Sequence, residues 1–88
     1  MKKVLVVCGN GLGSSMIVEM NAKQILKDLQ KEADVSHTDL TTAKTEQADL
    51  YIGSEDIVSN LQDGSRHVVG LKNLLDKNEL RAALDQHV

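Results

Sequence analysis

Residues Lys3 to Val7 read Lys-Val-Leu-Val-Val, and the apolar run continues to Cys8 without a polar break. A strand that faces water on one side alternates apolar and polar residues; an unbroken β-branched run is suited to burial on both faces. This segment therefore calls for a parallel sheet with helices above and below it, and the rest of the chain supplies them. Val18, Ala22, Ile25, Leu26 and Leu29 recur at helical spacing on one face. Glu19 and Lys23 form an i, i+4 pair on another face, and the helix is expected to end near Gln30 to Glu32. Ala33 to Thr38, Ala48 to Gly53 and His67 to Gly70 are the remaining strands, with one helical turn within Thr41 to Gln47. Ser54 stands where it can cap a short helix over Glu55 to Leu61, and Asp63-Gly64 marks a turn. Asp76 and Glu79 resemble a capping box, with Leu75 and Leu80 as its hydrophobic staple, ahead of a last helix with Leu80, Ala83, Leu84 and Val88 on one face.

Four strands alternating with helices predict βαβ units with right-handed crossovers. The expected fold is α/β and Rossmann-like: a four-stranded parallel sheet in the order 2-1-3-4, with helices on both faces and the most hydrophobic strand central. In such sheets ligands bind beyond the carboxyl ends of the strands, beside the switch in strand order. Cys8 lies at that end of the first strand, and Ser54, after the third strand, lies at the same end of the sheet.

The 88 residues suit a single domain over 1–88. With no Phe, Trp or Pro and one Tyr, the core must come from Val, Leu, Ile, Met and Ala. Ten basic against thirteen acidic residues give a net charge of −3. That balance, without aromatic stacking platforms, argues against nucleic acid. Val4 to Cys8 is far too short to span a bilayer, and no signal-peptide core follows Lys2 and Lys3. One cysteine cannot make an internal disulfide, so a reducing cytoplasm fits, and the thiol is either packing or chemistry.

The segment Cys8-Gly9-Asn10-Gly11-Leu12-Gly13-Ser14-Ser15 decides between those two. Glycines at positions 9, 11 and 13 let successive backbone N–H groups turn inward as an anion-binding nest. The helix that follows adds unpaired N–H groups and a positive dipole end, and Ser14 and Ser15 add hydroxyls. The same donors favour a thiolate at Cys8 and would surround a phosphoryl group carried on its sulfur. A lone cysteine ending a buried strand is often only core filler, but its combination with this loop points to a functional thiol. A Walker loop needs Gly-Lys-Ser/Thr, and no lysine is present. A dinucleotide fingerprint would place Ser14 where a third glycine belongs and would leave a late Asp39 for the ribose. A cysteine phosphatase loop would carry arginine at position 14. A phosphoryl carrier, a non-catalytic anion- or nucleotide-binding module with Cys8 merely packed, and a phosphatase disfavoured by Ser14 therefore stand as the readings. No metal or cofactor is expected, since His37, His67 and Cys8 match no recognised ligand spacing.

At Val7 to Met16, Val-Cys-Gly-Asn-Gly-Leu-Gly-Ser-Ser-Met, the chain resembles the phosphocysteine loop of IIB components of the bacterial sugar phosphotransferase system, in the lactose, galactitol and ascorbate classes. Met20 and Val68-Val69-Gly70-Leu71-Lys72-Asn73-Leu74-Leu75 look most like the ascorbate-specific class. The resemblance implies that Cys8 takes a phosphoryl group from a phosphohistidine on a IIA partner. It would pass the group to a sugar, ascorbate by this likeness, held by the membrane IIC component. Gly9 to Ser15 would be the phosphate cradle, and the protein would sit in the cytoplasm, peripheral to IIC. A cradle with no arginine and no nearby carboxylic acid suits a carrier, which must hold phosphate without hydrolysing it.

Other residues have simpler readings. His37 and His67 are surface or edge histidines, with His37 near enough to sense phosphate charge, and His87 belongs to a frayed helix end. Leu12 either folds inward or forms a docking contact at the loop tip. Met16 and Met20 are core or, if exposed, an adaptable rim for two partners.

Overall fold

The computed structural model describes residues 2–8, 12–62, 64 and 66–88, with the side chains of residues 12–15 outside that description. β1 (Lys2–Cys8) leads into α1 (Leu12–Asp28), followed by β2 (Ala33–Asp39), α2 (Leu40–Ala43), β3 (Leu50–Ser54), α3 (Glu55–Val58) with a 3₁₀ turn (Ser59–Leu61), β4 (Val68–Leu71) and α4 (Lys77–His87). The strands form one sheet in the order β2-β1-β3-β4, and every pairing is parallel. This is the expected order, with β1 in the interior.

Strand alternation assigns the two faces. Val4 and Val6 of β1 pack with Val18, Ala22, Ile25 and Leu26 of α1 and with Leu80, Ala83 and Leu84 of α4. Leu5 and Val7 point the other way, against Ala43 of α2, Tyr51, Val58 of α3 and Leu61. Val4 to Val7 are each at most 1% exposed, which is why the run lacks polar residues. Gly53 of β3, in register with Val7, is a requirement of packing: a Cβ there would lie 2.8 Å from Val58 Cγ1 and closer still to the Val7 carbonyl oxygen.

α1 ends two residues before the expected region. Gln30 takes a left-handed φ of 58°, its N–H bonds the Lys27 carbonyl at 3.1 Å, and Lys31 N–H bonds the Leu26 carbonyl at 2.9 Å. This is a Schellman ending with glutamine where glycine is usual.

The start of α4 departs from the sequence reading. Asp76 does cap it, accepting from Asn78 N at 2.9 Å and Glu79 N at 3.3 Å. Glu79 does not return the bond, because Asp76 N already donates to the Asn73 carbonyl. Its carboxylate takes the amides of Lys72 and Asn73 instead, at 2.8 and 3.0 Å, and so ties the segment after β4 to α4. The staple is not made either: Leu80 is buried but Leu75 is 52% exposed, and Leu74 is the residue packed against the core. His87 is not frayed. Its Nδ1 lies 2.9 Å from His67 Nε2, and burial followed by the charge of His67 pushes its pKa below the ordinary 6.5.

Candidate functional site at the end of the central strand

Cys8 is the last residue of β1, a free cysteine 6% exposed. By alternation it shares the face of Val4 and Val6, the face covered by α1. Its chain neighbours Gly9, Asn10 and Gly11, three members of the expected cradle, lie outside the described residues. Leu12, Gly13, Ser14 and Ser15 form the first turn of α1. The expected hydroxyl contacts of Ser14 and Ser15 and the placing of the Leu12 side chain fall outside the description as well.

The backbone of α1 has chemical content of its own. The first N–H groups of any helix lack intrahelical acceptors and carry a partial positive charge. At α2 a carboxylate meets them, with Asp39 accepting from Thr42 N at 2.7 Å. Asp76 does the same at α4, and Glu55 and Asp56 stand in the first turn of α3. The first turn of α1 contains no acidic residue. Of the α-helices, α1 is thus the one for which no carboxylate is described in the cap or the first turn, and an external anion can complement its positive end.

The sheet register brings two side chains beside Cys8: Asp39, which the sequence pattern did not associate with it, and Ser54, expected at the same end of the sheet. Asp39 ends β2 and is the in-register partner of Cys8. This corrects the expectation of no carboxylic acid nearby: two parallel seven-residue strands finish level, so a residue 31 positions later becomes a lateral neighbour. The group is a carboxylate rather than an acid. The Thr42 side chain, and then the Thr42 amide, hold its pKa below the ordinary 3.8. On the other side β3 continues one residue past the Val7–Gly53 pair to Ser54. Ser54 occupies the N-cap position of α3, as expected, but its side chain makes no capping hydrogen bond.

His37 lies one pleat back on the same face, paired with Val6, its Nδ1 3.3 Å from Glu19 Oε2 of α1. The geometry of that approach is not a hydrogen bond. Lys23 Nζ stands 3.9 Å from the same oxygen, the expected i, i+4 pair. Met16 and Met20 prove exposed rather than core, at 51% and 64%, and Ile17, which helical spacing alone did not single out, is exposed at 51% beside them. The described surface clefts around Lys44 and Arg66 and around Lys27 and Asp34 do not include Cys8, so position in the sheet locates this site, not cleft size. No described helix is long and apolar enough to cross a membrane, and no three metal-ligating side chains cluster among the described residues.

A thiol at the end of an interior parallel strand, followed by a helix with no acidic residue in its first turn, is an arrangement suited to an anion, and the comparisons with known proteins give the class. The family model for the lactose/cellobiose-specific IIB subunit of the phosphotransferase system matches residues 3–86, and the chain belongs to that family. It is similar to the "Ascorbate-specific PTS system EIIB component" of Mycoplasma pneumoniae, 31% identical over 86 residues covering 94% of this chain and 90% of the relative. Proteins of the same name from Salmonella choleraesuis and Escherichia coli O157:H7 are each 37% identical over 76 residues, covering 83% of this chain and 75% of theirs. The chain is thus a IIB component of a sugar phosphotransferase system, ascorbate-type by homology.

Proposed function

We propose that Cys8 is the phosphoryl-carrying residue, with residues 1–88 acting as one IIB domain between a IIA donor and a membrane IIC acceptor. The Cys8 sulfur attacks phosphorus on a IIA phosphohistidine. The S–P bond forms as the P–N bond breaks, and the thiol proton ends on the histidine ring. A sugar hydroxyl then attacks the same phosphorus; the S–P bond breaks and the hydroxyl proton returns to sulfur. The backbone of Gly9 to Ser15 and the hydroxyls of Ser14 and Ser15 hold the phosphoryl oxygens in this reading. No cofactor or metal takes part. The sugar is L-ascorbate, delivered as its 6-phosphate, a reading supported by the names of the relatives. The protein works in the cytoplasm, held at the membrane by IIC rather than by lipid.

The observation that carries the proposal is the placement of Cys8 at the end of β1, ahead of a helix with no acidic residue in its first turn. Preorganised dipoles of that kind stabilise a transferring phosphoryl group without supplying a proton. The test incubates the protein with phosphoenolpyruvate, the general phosphotransferase proteins and an ascorbate-type IIA, and reads intact mass. One phosphoryl adduct on the wild type and none on Cys8→Ser is expected. An adduct that survives Cys8→Ser refutes the assignment, and sustained release of inorganic phosphate identifies a phosphatase instead. Membranes containing the matching IIC then report the sugar: ascorbate discharges the adduct, and discharge by another sugar alone overturns the specificity.

A further inference from the structure

Ser54 has a bland role available to it and does not fill it. Serine at an N-cap ordinarily accepts a hydrogen bond from the second or third helical N–H. Asp39 and Asp76 make such bonds in this protein. Ser54 has the extended N-cap backbone, φ −67° and ψ 147°, yet its side chain accepts none. Its hydroxyl also makes no side-chain hydrogen bond to another described residue.

The register says where that hydroxyl is. β1 and β3 pair in parallel through Val6–Ile52 and Val7–Gly53, so the next step sets Ser54 level with Cys8. The faces agree: Ile52 belongs to the core under α1, and Gly53 faces Val58 on the opposite side. Ser54 returns to the first face, and its own β4 partner, Leu71, is buried in the core on that face. Cys8 shares it. Adjacent strands stand about 4.8 Å apart. An oxygen of a phosphoryl group on the Cys8 sulfur projects beyond the sulfur into that gap, within the span of an O–H···O bond of about 2.7 Å.

We propose that Ser54 is a side-chain donor to the phosphoryl group on Cys8, gripping it from β3 while the first turn of α1 meets it from above. The assignment rests on Cys8 being the phosphoryl carrier. Its chemistry suits that task. A hydroxyl donates one hydrogen bond to a phosphoryl oxygen without the permanent charge of a guanidinium and without an acidic proton to hand to a leaving group. Asp39, on the other side of Cys8, accepts from Thr42 and has no proton to give. Of the two strand-end neighbours, Ser54 is therefore the donor.

The experiment compares wild type, Ser54→Ala and Ser54→Thr, each equilibrated with phosphorylated IIA, reading the phosphorylated fraction, the phosphorus NMR shift of phosphocysteine, and the melting temperature. Ser54→Ala is expected to move the transfer equilibrium about tenfold toward IIA, the worth of one hydrogen bond to a charged group. It also shifts the phosphocysteine resonance and leaves the melting temperature in place, since no cap bond is lost. Ser54→Thr restores both phosphorus readouts. An unchanged equilibrium and resonance in Ser54→Ala overturns the assignment while the carrier stands. So does a loss that tracks a lowered melting temperature and is not restored by threonine. A wild type that accepts no phosphoryl group overturns both readings at once.

Discussion

Replacing Gly53 by alanine tests how the sheet holds Cys8 in place. The new methyl group would meet the Val7 carbonyl oxygen and stand 2.8 Å from Val58 Cγ1. Neither neighbour yields cheaply. The oxygen is backbone of the central strand, and Val58, 1% exposed, is the buried residue by which α3 packs on the sheet. Overpacking a well-filled core costs roughly 1–3 kcal/mol, and a collision with backbone on one side and a locked side chain on the other belongs at about 3 kcal/mol. In a domain of this length each kcal/mol moves the melting temperature by about 4–8 °C, so a fall of about 12–24 °C is expected. Urea unfolding followed by far-ultraviolet circular dichroism measures the free energy directly, with an unchanged slope confirming a change in stability alone. Gly64→Ala is the control. Gly64 has φ +87° with nothing within 4 Å of an added Cβ, so only backbone strain is introduced, about 1–2 kcal/mol. Val7 immediately precedes Cys8, so the displacement also reaches the site, and phosphoryl acceptance by folded Gly53→Ala at low temperature is expected to fall. A Gly53→Ala protein that loses no more stability than Gly64→Ala would refute the close approach of β3 to β1 and α3.

Gln30→Gly is expected to stabilise the protein by about 1 kcal/mol in the same urea assay, because the residue holds a φ of 58° that costs an L side chain about that much; no gain would mean the glutamine side chain offsets the strain. His87 sets a pH dependence. Its folded pKa lies below 6.5, from burial first and the charge of His67 second. On acidification the unfolded chain takes up the proton first, so this contribution is complete above about pH 6.5 and is lost as pH falls through the folded value. The melting temperature accordingly drops as pH falls below about 6.5, and His87→Gln flattens that part of the profile; an equal slope in the variant assigns the drop to other groups.

What the sequence disclosed, it disclosed through periodicity. The unbroken Val4 to Val7 run required two covered faces, and the spacing of Val18, Ala22, Ile25 and Leu26 named the helix side that covers one of them. Strand order followed from putting that run at the centre. What escaped was set by competition among hydrogen-bond acceptors and by register. Glu79 matches a capping box, but whether it returns to Asp76 depends on Asp76 N, which the Asn73 carbonyl already holds. Leu74 and Leu75 are equally apolar, and the turn ahead of α4 decides which one turns inward. Asp39 is remote from Cys8 along the chain and becomes its flank only because β2 ends level with β1; the strand pattern put Ser54 at the same end of the sheet, but not its missing cap bond. Cys8 stands out as a candidate because its companions are local: the glycines and serines that follow it sit within seven residues.

The Asp39 flank bears on how the proposed carrier would keep its cargo. A phosphatase discharges phosphocysteine by activating water, and a carboxyl group beside the sulfur is the obvious device. Asp39 is in that place by register, and yet it is poorly fitted for either role. Its carboxyl is held ionised by Thr42, so at neutral pH it has no proton to give a leaving group. The same bonds weaken it as a base, since a general base is most effective when its pKa lies near the working pH. Its Oδ1 is also engaged 2.7 Å from the Thr42 amide, spent on capping α2 rather than aimed at a water. Ser14 stands where a phosphatase loop would place its arginine clamp. In the proposed role, then, the residues beside Cys8 favour holding a phosphoryl group over hydrolysing it: neutral donors grip the oxygens, and the nearest carboxylate is committed elsewhere. The group waits for an acceptor that brings its own nucleophile, which is the condition a relay between two partners must meet.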